Sequence, residues 1–175
     1  MEEQLQEQST GNQEIINMEA AINSRVDRAT QAHSTVKKYA LGSMAVAIVP
    51  LPLVDLAAVS GVQAKMVHTI AKQYEVPFSR DLVKPLIASL LGDIITVTMA
   101  KYVATNLIKL VPVAGQASSF ASSAALFGAA TYAVGKIFVE HFESGGTFLN
   151  FEPDKMKDHL HQFFKEGQKF VAVNK

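Results

Sequence analysis

The sequence predicts an all-α chain built from helical hairpins broken at Pro and Gly. Three observations lead there. No stretch alternates apolar and polar residues with the period of two that marks half-buried strands. The long apolar segments instead carry helical spacing, interrupted at Pro50–Pro52, Pro77, Pro112 and Gly145–Gly146. Proline removes a helical hydrogen bond, and glycine supplies a stop. About half of the 175 residues are apolar (49%) and 18% are charged, which supplies a core and excludes a disordered charged tail. Five or six helices are expected.

Residues 1–12 are polar and Gln-rich and read as a frayed, flexible N-terminus. Residues 13–38 read as an amphipathic helix. Ile15, Ile22, Ala29 and Val36 recur every seven residues, with Met18, Val26 and Ala32 between them. Glu19, Arg25, Asp27, Arg28 and Lys37 lie off that stripe. Several seam residues are small, so the partner surface should approach closely.

Residues 39–143 form the expected apolar hairpin core. Tyr39 to Val54 carries no charge. A break near Val49 and a restart at Pro52 suit proline's place in a first helical turn. Asp55 then falls where the helix dipole favours a negative charge. This helix is expected to run to about Gln73. Glu75 to Phe78 reads as a connector, with Ser79 as an N-cap and Pro85 as a possible later start. The next helix runs to about Leu110 and is broken by Val111-Pro112-Val113-Ala114-Gly115.

From Leu110 to Gly135 there is again no charge. Ser118, Ser122, Ala125, Gly128 and Ala129 place small side chains at helical spacing, a ridge on which two helix backbones can close. Ser144-Gly145-Gly146 ends that helix near Glu143. Residues 144–175 give a short link and a last amphipathic helix opened by Pro153, with Met156, Leu160, Phe163 and Phe164 on one face and an end near Gly167. The two proline breaks echo each other. They read either as a duplicated helix–break–helix unit or as the common use of Pro and Gly at hairpin turns.

The chemistry the sequence excludes is broad. Sixteen basic and sixteen acidic residues cancel and form no basic patch with interleaved aromatics, so no nucleic acid is expected. With no Cys there is no zinc ribbon, disulfide or thiol nucleophile. The five histidines show no His-Glu-x-x-His, and His159 and His161 point about 200° apart on a helix, so no metal is expected. Ser118, Ser119, Ser122 and Ser123 lack the Gly-x-Ser-x-Gly context and are expected to pack. Asp93, inside an apolar helix, needs a partner, for which Lys65 and Lys101 are candidates. No enzyme activity and no cofactor are expected.

One resemblance is specific enough to name. Ile48-Val-Pro-Leu-Pro-Leu-Val-Asp55 with Gln63 and Met66 forms a first signature. Val111-Pro-Val-Ala-Gly115 with Thr131, Gly135 and His141-Phe142 forms a second. Gly145-Gly146-Thr147 running into Phe151-Glu-Pro153 completes the set. Over roughly Val36 to Lys169 the chain resembles a bacterial domain-of-unknown-function family, number six-nine-seven in its series. That resemblance implies inner-membrane proteins and fusions behind GTPase domains of the Era or dynamin-like type. This chain has no Gly-x4-Gly-Lys-Ser/Thr phosphate loop, since Gly135-Lys136 is followed by Ile137. Any GTPase would be a separate chain.

The apolar runs carry the functional expectation. Tyr39 to Ala64 is long enough to span a bilayer, but its prolines divide it into arms near half that length. Lys37, Lys38, Lys65 and Lys72 flank it on both sides, which favours one side of a membrane for both ends. A re-entrant hairpin follows, with Val49, Pro50, Leu51, Pro52 and Leu53 in contact with lipid. The N-terminus is not a secretory signal, so the expected location is the cytoplasmic side of a membrane. The function expected is a membrane-associated helical scaffold that forms homo-oligomers and acts with a separate GTPase. The alternative is a soluble helical module that holds a lipid or a partner helix.

Overall fold

The computed structural model describes residues 2–46, 54–106 and 116–174. Every regular element among them is helical: α1 (Glu2–Val46), α2 (Val54–Gln73), α3 (Arg80–Asn106), α4 (Gln116–Glu143) and α5 (Lys157–Val173), with a single 3-10 turn at Pro153–Met156 ahead of α5. The chain is all-α, as its periodicity requires.

The helix ends differ from the sequence reading in two places, the start of α1 and the end of α5, while α3 begins where its Ser79 N-cap puts it. α1 already begins at Glu2 rather than Gln13, because the polar segment is rich in Glu and Gln, which are good helix formers. α3 starts at Arg80, directly after Ser79, and carries Pro85 within it. α5 runs through Gly167 to Val173. Gly167 is no stop: a Cβ there would stand 2.8 Å from the Ala129 carbonyl oxygen, so it lets α5 close on α4.

Two helices end alike. Gly145 has φ +80, its N–H reaches the Phe142 carbonyl over 3.0 Å, and the Gly146 N–H reaches the His141 carbonyl over 2.9 Å. This pair of bonds satisfies the last carbonyls of α4. α2 ends with the same bonds, Glu75 N–H to Lys72 and Val76 N–H to Ala71, and here Glu75 takes the left-handed conformation at φ 58.

α4 is the central helix. Side-chain approaches fix how its neighbours run. Gly128 faces Met44 and Gly135 faces Val36, so α1 is antiparallel to α4. Gln63 meets Thr131 and Met66 meets Gly135, so α2 is parallel to it. Gly167 meets Ala129 and His159 meets Glu140, so α5 is antiparallel. The end of α1, the start of α2 and the start of α4 therefore share one end of the bundle. The opposite end holds Tyr74, Phe142 and Glu143. It is packed with aromatic rings, Phe138 stacking on Phe151 at 4.8 Å and Phe142 edge-on to Phe148 at 5.2 Å.

Candidate interaction surface

The apolar stripe of α1 has two fates. Ala32, Val36 and Ala40 are fully buried in the bundle. Residues 12–27 are exposed throughout. α4 ends at Glu143, level with Ala29 of the antiparallel α1, so α1 leaves the body there as a stalk. Ile15, Met18, Ile22 and Val26 are each more than half exposed on it, an unusual density of large apolar side chains on a monomer surface.

A cavity of about 270 Å³ lies at the base of this stalk, lined by Arg25, Val26, Arg28, Ala29, Tyr74, Phe142 and Glu143. Its walls are apolar and its rim is charged. The Tyr74 hydroxyl donates to Glu143 Oε1 over 3.0 Å, and the Arg28 guanidinium sits 5.9 Å over the Tyr74 ring. Burial, and then the bond to Glu143, raise the Tyr74 hydroxyl well above its ordinary pKa, so it is a fixed donor at physiological pH. Sequence reasoning found the seven-residue stripe but neither the cavity nor the point where the body ends, because Tyr74 and Glu143 lie far from the stripe in sequence.

The two histidines of α5 divide as their spacing requires. His159 Nδ1 lies 2.9 Å from Glu140 of α4, and His161 Nε2 lies 2.7 Å from Asp93 of α3. Asp93 thus lies against His161 rather than Lys65, and the Lys101 side chain is outside what the structure describes. No three His, Cys, Asp or Glu side chains come together to hold a metal ion among the described residues.

Of the small-residue ridge, Gly128 and Ala129 are buried and Ala125 is half-buried. A Cβ on Gly128 would stand 2.7 Å from Met44 and 2.9 Å from Val171, so this part of α4 lies between α1 and α5. Ser118 and Ser122 stand near the start of α4, where only the backbone is described. Val49, Pro50, Leu51, Pro52 and Leu53 lie outside the described residues. No helix among the described residues is long and apolar enough to cross a membrane.

The family described as a domain of unknown function, DUF697, matches residues 12–169 of the chain. The chain belongs to DUF697. Within the DUF697 fold the signature residues meet in space. Gln63 bonds Thr131, and Met66 and Val36 close on Gly135. His141 packs against Gly146 and edge-on to Phe151, with its Nε2 2.9 Å from the Thr147 carbonyl oxygen. The DUF697 chain is also similar to magnetosome membrane protein 22 of Magnetospirillum gryphiswaldense. The two are 37% identical over 147 residues, covering 84% of this chain and 75% of the relative. No solved structure matches it.

Proposed function

We propose that this DUF697 chain is a membrane-associated helical scaffold that attaches by one end of its bundle, self-assembles and serves a separate GTPase. The observation that carries the reading is the register of the helices. The end of α1 and the starts of α2 and α4 share one end of the bundle, and the segments that enter there are charge-free and proline-broken: Tyr39 to Val54 and Leu110 to Gly135. Apolar sequence concentrated at one end of a bundle suits insertion of that end into a bilayer. The relative named as a membrane protein supports the same location, and the basic residues Lys37, Lys38 and Lys65 suit contact with anionic headgroups on the cytoplasmic side.

Self-assembly is supported by the exposed apolar stripe of the stalk. The GTPase partnership is supported only by what the resemblance implies, fusions behind GTPase domains, set beside the absence of a phosphate loop in this sequence.

Flotation on vesicles with an anionic lipid fraction tests attachment. The wild-type protein is expected to float. Val49→Asp with Leu51→Asp is expected to leave it at the bottom of the gradient, since a charge at membrane depth costs about 2.5–3.5 kcal/mol. Wild-type protein that stays unbound would instead support a module that holds a lipid or partner helix in solution.

A further inference from the structure

We infer that the α1 stalk pairs with the stalk of a second copy in antiparallel register, the Ile15 of each closing the cavity at the other's base. The inference deepens the self-assembly part of the proposed function and rests on that reading only where membranes enter. The stalk's stripe continues the buried seam of Ala32, Val36 and Ala40, so the same sequence pattern that seats α1 on α4 runs on without a partner. Its occupant should match it in length, apolarity and charge.

A second stalk does so. In an antiparallel seven-residue register, Met18 lies opposite Ile22 of the second copy, and Ile15 lies opposite Arg25 and Val26, at the cavity mouth. The flanking positions then bring Glu14 against Arg28 of the second copy, twice by symmetry. Glu14 is exposed, while Arg28 is half-buried at the cavity rim. A parallel pair would set Glu14 against Glu19 and Arg25 against Arg25, so charge selects the antiparallel arrangement. Glu19 meets Glu19 at the antiparallel centre, the one like-charge contact, in an exposed setting where water screens it.

The register also carries the segment before Gly11 past the end of α4. Ser9-Thr10-Gly11 stands at that crossing, and small residues of this kind are where helices kink.

The size of the contact explains why the cavity is needed. Residues 12–27 span about 24 Å of helix, and two helices touching over that length bury less than the roughly 800 Å² per partner of a standard interface. Seating Ile15 among Val26, Ala29, Tyr74 and Phe142 adds apolar area. The pair should be reversible rather than obligate. The stalk leaves the body at the end opposite the charge-free segments, so an antiparallel pair points those two ends away from each other. On membranes the protein would then join two surfaces.

The native chain has no cysteine, which makes a direct test clean. Full-length Met18→Cys and Ile22→Cys proteins, distinguishable by mass, are mixed and oxidised in buffer without lipid. The inference expects mixed Met18→Cys/Ile22→Cys dimers to dominate. Like-with-like dimers, or no cross-link at concentrations where sedimentation shows a dimer, would overturn it, as would a wild type that stays monomeric. Glu14→Arg alone and Arg28→Glu alone should weaken the dimer at least tenfold, the two together should restore it, and Glu19→Gln should tighten it. Failure of the double reversal to restore association would overturn the register.

With vesicles, wild-type protein should cluster them by light scattering. Ile15→Asp with Ile22→Asp should float but not cluster. If the wild type does not float, attachment has failed and the cross-linking result still decides the pairing. If it floats and the double aspartate variant clusters vesicles as well as the wild type does, the stalk is not the joint.

Discussion

Gln63 of α2 and Thr131 of α4 meet inside the core: the Gln63 amide donates to the Thr131 hydroxyl over 3.3 Å, and neither side chain has any exposed surface. They lie 68 residues apart, one in each hairpin. The Gln63 Oε1 has no partner, so the amide is half satisfied. Thr131→Val should orphan it and cost about 1–3 kcal/mol, the usual penalty for an unpaired buried polar group. Thr131→Val combined with Gln63→Leu should recover most of that loss. Urea melts of the four proteins check this; single and double variants equally destabilised would show that the bond does not tie the hairpins.

Glu75 ends α2 in the left-handed conformation at φ 58, which costs a side-chain-bearing residue roughly 1–2 kcal/mol. Glu75→Gly should stabilise the protein by up to about 1 kcal/mol after glycine's extra chain entropy is subtracted. A thermal melt that moves down instead would contradict the cap.

Glycine packing gives a ranked prediction. Ala in place of a helical Gly gains about 1 kcal/mol in propensity, against about 1–3 kcal/mol for overpacking. At Gly167 the added Cβ meets backbone, 2.8 Å from the Ala129 oxygen, which has nowhere to go. At Gly135 it meets the side chains of Val36 and Met66 at 2.8 Å and 3.0 Å. Gly167→Ala should therefore be the worse of the two, and Val36→Ala should rescue Gly135→Ala but not Gly167→Ala. Ala129→Leu should destabilise more than Ala125→Leu, because Ala129 is fully buried and Ala125 is not.

His33 predicts a pH dependence. Burial, then the nearby Lys136 and Lys37 charges, lower its pKa below the ordinary 6.5, while Glu143 opposes them, and its Nδ1 is buried without a partner. A folded pKa below the unfolded one means the unfolded chain takes up the proton first as pH falls. The contribution is complete above about 6.5 and is lost as pH drops from there through the folded value. His33→Gln should flatten this part of the profile between neutral and mildly acidic pH, measured by urea midpoints across the range. An unchanged slope would place the acid sensitivity elsewhere.

The fold was largely legible because prolines and glycines punctuate it. Pro77 and Gly145–Gly146 fall between helices, and the seven-residue stripe from Ile15 to Val36 runs along one. Glu75 was not legible as a cap, since a glutamate there gives no local sign of its conformation. Gly167 misled for the opposite reason, its role being set by Ala129 on another helix. Asp93 shows the same limit, its partner lying on α5 and not within its own hairpin. The stalk's exposure depends on where α4 stops relative to α1, a length relation between distant segments.

The most direct test of end-on attachment uses single cysteines carrying a polarity-sensitive fluorophore. Leu51→Cys and Met18→Cys proteins are labelled and mixed with anionic vesicles at lipid excess and low protein. A blue shift and protection from aqueous quencher at position 51, with position 18 unchanged, is the predicted result. A shift at position 18 with none at position 51 would contradict the account, because the stalk and not the proline-broken end would then be the membrane contact.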